Sequence, residues 1–214
     1  KFGFNLNNGD AHRAIERARA SASVDLVGIH CHIGSNVLAI ENFETASAVM
    51  LELFASTGLH ELTLGGGLGV AYTSADVAPT MAQWADVLKR ATASLPSTAR
   101  VFVEPGRAIV AAAGITVYEV GTVKHIDGVR TYVAVDGGMS DNMRPALYDS
   151  EYEVCDPRRI TADRTDTARV VGKHCESGDV LVFDAAIPAG VAVGDLLVTP
   201  VTGAYGYSMA NNYN

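Results

Sequence analysis

Apolar residues run along this chain in two different rhythms. In the first half, short apolar blocks alternate with stretches of helical period. Leu59–Leu64 and Arg100–Val103 are compact runs, each followed by glycine, as in Leu64-Gly65-Gly66-Gly67-Leu68-Gly69 and Glu104-Pro105-Gly106-Arg107. Such runs predict buried parallel strands with loops opening at their C-terminal ends. Before the first run, Phe43, Ala46, Met50 and Leu53 repeat at three- and four-residue intervals and predict a helix over Glu41–Thr57, with Gly58 as its stop. Thr80 predicts the cap of a second helix from Met81 to about Leu95, with Trp84, Leu88 and Ala91 inward. Earlier, Asp10 is the expected cap of a helix over Ala11–Ala20, and Lys1–Phe4 reads as the end of a strand. Val24–Ile33 reads as a full strand whose alternation puts His30 and His32 on one face and Cys31 on the other. Strand and helix alternating at this spacing imply right-handed parallel crossovers.

After Arg107 the rhythm changes. Ile115–Val123, Thr131–Val135, Val180–Phe183 and Leu196–Val198 are short and rich in β-branched residues, with turns such as Asp127-Gly128 and Ser177-Gly178-Asp179 between them. The expectation is a mostly antiparallel β domain beginning near Ala111. The predicted fold class is therefore α/β plus β, with residues 1–110 as one domain and 111–214 as the other. The first domain holds only about four parallel strands where a closed barrel needs eight, so it is either a small open sheet or part of a barrel.

Composition narrows the partners more than the fold. The 214 residues are 48% hydrophobic and 19% charged, enough apolar content for a substantial core. A net charge of −8 argues against sequence-independent binding to nucleic acid. No apolar run is long enough to span a bilayer and no secretory signal opens the chain, so no membrane partner is expected. Three cysteines without Cys-x-x-Cys spacing, Cys31, Cys155 and Cys175, point to reduced thiols and a cytoplasmic location.

Several residues carry possible chemistry. Two glycine-bearing loops from neighbouring strands can cradle a phosphate, or they can be plain tight turns. His32, at a strand's C-terminal end, can stack on a flat ring, or it can be a satisfied core histidine. His30 shares its face, but zinc wants three or four convergent ligands and none stands nearby in sequence, so no metal is expected. Glu104 is either a partner for a cationic group or a helix cap. Arg107 suits a carboxylate. Cys175 can serve as a general acid, although a bare cysteine is more often structural, as Cys31 and Cys155 are read. His174 beside it can lower its thiol pKa. Tyr205 is a contact residue or a core aromatic. Composition alone makes the stretch from Val135 to Tyr148 a polar surface loop.

The order Gly-Gly-Gly-Leu-Gly, Glu104-Pro105-Gly106-Arg107, Asp136-Gly137-Gly138-Met139-Ser140-Asp141 with Arg144-Pro145-Ala146-Leu147-Tyr148, and His174-Cys175-Glu176-Ser177-Gly178-Asp179 resembles the fold-type III pyridoxal-phosphate decarboxylases, and within them the diaminopimelate decarboxylase family. The resemblance implies the later half of a (β/α)8 TIM-type barrel followed by a mostly antiparallel β domain. It also implies a pyridoxal 5'-phosphate (PLP) cofactor, a homodimer with active sites at its interface, and decarboxylation of meso-diaminopimelate to lysine. His32, Ser35, Gly67, Glu104, Gly106, Arg107 and Tyr205 match cofactor positions, with Glu104 against the pyridine nitrogen and His32 against the ring. Arg107, Arg144, Tyr148, Glu176 and Tyr205 match substrate positions, and Cys175 matches the proton donor. The family's Schiff-base lysine has no counterpart in context among Lys1, Lys89, Lys124 and Lys173, so the chain is expected to be roughly half of a family member, inactive alone. The same motifs leave two alternatives: an ornithine- or arginine-type decarboxylase, or a non-catalytic PLP- or phosphate-binding module.

Overall fold

The computed structural model describes residues 2–214; Lys1, where the first predicted strand begins, lies outside them. The chain divides into two compact units, Lys1–Gly67 with Thr80–Pro105, and Leu68–Pro79 with Gly106–Asn214. The break thus comes at Gly106, and the loop 68–79 belongs with the second unit.

In the first unit, helix α1 (Asp10–Arg19) precedes strand β1 (Gly28–His30), helix α2 (Glu41–Thr57), strand β2 (Glu61–Thr63), helix α3 (Met81–Ala91) and strand β3 (Arg100–Phe102). The strands pair in parallel in the order β1-β2-β3, with His30, Thr63 and Phe102 in one row and Ile29, Leu62 and Val101 in the next. Right-handed crossovers put α2 and α3 on the same face, where Leu62 is fully buried and the Phe43 ring meets Trp84 edge-on at 5.9 Å.

The helices lie close to where the hydrophobic pattern puts them. Thr80 and Gln83 form a reciprocal capping box on α3, and Gly58 ends α2 at φ 65°. The buried stripe of α2 is Phe43, Ser47, Met50, Phe54 and Thr57, rotated slightly from the predicted one. Four expectations fail. Strand β3 is not buried: Arg100, Val101 and Phe102 are all exposed. Phe2–Phe4 is not a strand: Gly3 sits at φ 70°, off the extended path. Gly9, not Asp10, occupies the cap of α1, and Asp10 lies in its first turn. The 24–33 strand shrinks to β1, so the parallel strands number three among the described residues.

The second unit contains a short helix α4 (Arg107–Val110), strands β4 (Thr116–Ile126) and β5 (Arg130–Val135), a short helix α5 (Arg144–Tyr148), and strands β6 (Asp166–Val171), β7 (Val180–Ile187) and β8 (Leu196–Thr199). They form one sheet in the order β7-β6-β5-β4-β8, antiparallel except for the β5–β6 pair. Alternation holds the core: Tyr118 and Val120, Val133 and Val135, Ala168 and Val170 all point inward with Leu181, Ile187 and Leu197. Strand β6 was not foreseen, because Asp166-Thr167-Ala168-Arg169 breaks its apolar run. The stretch 135–148 is no surface loop: it ends in α5, with Asn142, Arg144 and Pro145 buried.

Candidate functional site

In the first unit the candidate residues gather just past the C-terminal ends of the strands, where open α/β sheets bind ligands. His32 and Ser35 follow β1, Gly65–Gly67 follow β2, and Glu104 follows β3. The backbones draw together tightly. Glu104 N–H donates to Gly65 O at 2.8 Å and Val37 N–H to Gly67 O at 2.8 Å. A Cβ on Gly66 would stand 2.0 Å from the Glu104 carbonyl oxygen, so only glycine permits this approach. In the same region His30 Nε2 reaches to 2.9 Å from Glu104 Oε2. Glu104 therefore caps no helix: Gly106 holds that place at α4, and the carboxylate is answered by an imidazole. Beside it, burial and then the Glu104 charge push the Cys31 thiol up, which keeps it protonated and unreactive. His32 and Ser35 are both exposed at this strand end.

The second unit holds a cation–aromatic cluster. Arg144 opens α5 and is only 6% exposed. Its guanidinium lies 4.4 Å above the Tyr72 ring centroid and donates to the Tyr152 hydroxyl at 2.5 Å. Burial pushes the Tyr152 phenol up against the lowering pull of Arg144, so it remains protonated. Arg107 donates to the Tyr72 hydroxyl and stands 5.6 Å from the same ring. Its other side faces Tyr205, 4.6 Å to the centroid. Tyr205 achieves this from a left-handed backbone, φ 64°, which a bulky residue rarely adopts. Two predicted substrate residues thus share one ring, Tyr72, which no motif singled out. Its signal was faint: a lone aromatic between the triple glycine and α3. Tyr148, at the end of α5, is exposed. Gly106 is also exposed, with nothing within 4 Å of where a Cβ would stand.

Cys175 and Glu176 sit on an exposed turn that is pinned from below. Buried Asp179 accepts from Met139 N–H at 2.6 Å and from His174 N–H at 2.9 Å, tying the 136–141 loop to the 174–179 turn. A Cβ on Gly172 would lie 2.2 Å from this carboxylate. His174 turns its Nε2 to Ser140 Oγ, 2.8 Å away, and its ring edge to Tyr213. The expectation that it serves the Cys175 thiol gains no hydrogen bond here. Glu176 accepts from Gly178 N–H at 3.1 Å, from the Ser177 hydroxyl, and from the Tyr213 hydroxyl at 3.3 Å. Those bonds, led by Gly178, hold its carboxyl below the usual range, and its charge raises the Tyr213 phenol. Tyr213 is a second residue the motif reading passed over.

The family profile described as "Pyridoxal-dependent decarboxylase, C-terminal sheet domain" matches residues 37–203. The chain belongs to that family. Among individual proteins, it is 44% identical to the diaminopimelate decarboxylase of Corynebacterium efficiens, over all of this chain and 50% of that one. The crystal structure of diaminopimelate decarboxylase from M. jannaschii in complex with L-lysine superposes at a TM-score of 0.88 and 34% identity, covering 100% of this chain and 50% of the other. A lysine/ornithine decarboxylase from Vibrio vulnificus, complexed with cadaverine, superposes at 0.85 and 26% identity, covering 100% and 58%. The chain spans about half the length of the curated relatives it matches. Its two units correspond to the second part of these longer proteins, a partial barrel and a β domain.

The residues present fit the cofactor of that family. Glu104 offers a carboxylate acceptor for a protonated ring nitrogen, exposed His32 offers a flat imidazole, and Ser35 offers a hydroxyl for a phosphate oxygen. The described lysines, Lys89 on α3, Lys124 on β4 and Lys173 before His174, are exposed and stand in no such cluster.

Proposed function

We propose that the protein carrying this chain decarboxylates meso-diaminopimelate to L-lysine and carbon dioxide with the help of PLP. The observation that carries this reading is the arginine pair on Tyr72, in a chain 44% identical throughout to a diaminopimelate decarboxylase. PLP, when bound, supplies an electron sink for the bond to the departing carboxylate. Glu104 would keep its ring nitrogen protonated, His32 would lie against the ring, and Ser35, Gly67, Gly106 and Tyr205 would hold the phosphate. Arg107 and Arg144, with Tyr148 and Tyr205, grip the carboxylate at the substrate's far end. Glu176 takes the far ammonium, and Cys175 returns a proton to the carbon that has lost carbon dioxide. The exposure of Cys175 and Glu176 on a braced turn suits delivery to a second copy of the chain, so the reading includes a homodimer. Three free thiols fit a cytoplasmic setting.

Ornithine- and arginine-type decarboxylases share the fold, and their substrates have no far carboxylate. Arg107 and Arg144 would then have no substrate carboxylate to bind, which disfavours that reading. Cys175→Ala in the full-length protein tests the assignment of the acid. Turnover should fall about a hundredfold to ten-thousandfold while PLP affinity is kept. Full turnover would remove Cys175 from the reaction, and Cys155→Ala serves as the silent control.

A further inference from the structure

His30 stands outside the residues assigned above, yet it makes the one described side-chain contact to Glu104. The contact crosses a whole strand. His30 ends β1, Glu104 follows β3, and β2 lies between them in the sheet. Just past Thr63, which pairs with His30, β2 gives way to Gly65 and Gly66. At Gly65 a Cβ would stand 2.2 Å from the Cys31 carbonyl oxygen, and at Gly66 2.0 Å from that of Glu104. The glycines thus let the neighbouring backbones of Cys31 and Glu104 close in on both sides. An ionised carboxylate only accepts, so the imidazole Nε2–H is the donor in the 2.9 Å contact. The backbone of Glu104 is fixed as well, through its N–H to Gly65 O at 2.8 Å.

We propose that His30 is a positioning residue for the cofactor's ring nitrogen: by donating to Oε2 it fixes the Glu104 carboxylate and leaves Oε1 to pair with that nitrogen. The inference rests on the reading that Glu104 serves PLP. A carboxylate at a strand end, half exposed on its side chain, has several rotamers open to it. Held by one oxygen, it presents the other in one direction. Without that hold it swings, and the pairing that keeps the nitrogen protonated becomes intermittent.

The test uses the full-length protein loaded with PLP labelled with nitrogen-15 in its ring, and follows the ring-nitrogen shift against pH. The parent should keep the nitrogen protonated over its stable range. Glu104→Gln should abolish this; if it does not, the assignment of Glu104 itself is wrong. His30→Ala should move the loss of the proton down by about one pH unit or more, a tenfold change in proton affinity. His30→Gln, which keeps a donor, should restore most of it. In turnover, His30→Ala should lower kcat by between tenfold and about a hundredfold, the scale of an ångström's misplacement, with KM nearly unchanged. If Glu104→Gln shifts the titration and both His30 variants titrate like the parent, His30 has no such role. A loss in His30→Gln as large as in His30→Ala would equally refute the hydrogen bond as its means.

Discussion

A guanidinium with 6% of its surface exposed needs an answer to its charge, and Arg144 finds it in aromatic faces and a phenol rather than in an acid. Cation–π contact and a neutral hydroxyl orient the group without neutralising it, which leaves the charge available to an anion. Arg107 also stands beside aromatic rings, those of Tyr72 and Tyr205. Tyr72 is the common element, and its two features separate by substitution. Tyr72→Phe keeps the ring under Arg144 and deletes the acceptor for Arg107. A hydrogen bond to a charged group contributes about 1.5–3 kcal/mol, so the KM for diaminopimelate should rise about tenfold to a hundredfold with a smaller change in kcat. Tyr72→Leu removes the ring as well and should raise KM further. Equal steady-state constants for the parent and Tyr72→Phe would mean that Arg107 is positioned by other contacts.

The loop that delivers Tyr72 has its own fastening. Asp76 Oδ2 accepts from Thr73 N–H and Tyr72 N–H, each at 2.9 Å, and from the Thr73 hydroxyl. The Thr73 amide foremost holds the Asp76 carboxyl below its ordinary value. A depressed carboxyl stabilises the fold above its unfolded value of about 3.9, and that contribution is lost as pH falls through the lower folded value. Hydrogen exchange of the 71–76 amides should therefore be slower in the parent than in Asp76→Asn at neutral pH, with the difference closing below about pH 4. A pH-independent difference would contradict this fastening. None of it was visible in the hydrophobic pattern, which fixes elements through burial and is silent on loops. The helices α2 and α3 and strands β2 to β5 were legible because their periods are unbroken. Strand β6 was not, because Asp166 and Arg169 interrupt it, and β1 was overextended because Val24 and Leu26 alternate with Asp25 like a strand yet have no partner strand among the described residues. The candidate residues were legible through motif resemblance. Their neighbours Tyr72, Tyr213 and His30 emerge only once the folded chain brings distant positions together.

Across the whole molecule, each unit carries its own set of groups: acceptor, imidazole and hydroxyl in the first, cations and a braced thiol turn in the second. No described lysine stands with either set. This chain alone, treated with PLP and borohydride, should show no single lysine labelled stoichiometrically, and peptide mass mapping checks this. One fully labelled lysine accompanied by decarboxylase activity would contradict it. The central claim, that two arginines answer a carboxylate at the far end of the substrate, is tested most directly by carbon dioxide release from the full-length PLP-loaded protein. The substrates to compare are meso-diaminopimelate, its all-L isomer, L-lysine and L-ornithine at equal concentration. The account predicts rapid release from the meso isomer and little from ornithine or lysine. Release from ornithine or lysine as fast as from meso-diaminopimelate would contradict it.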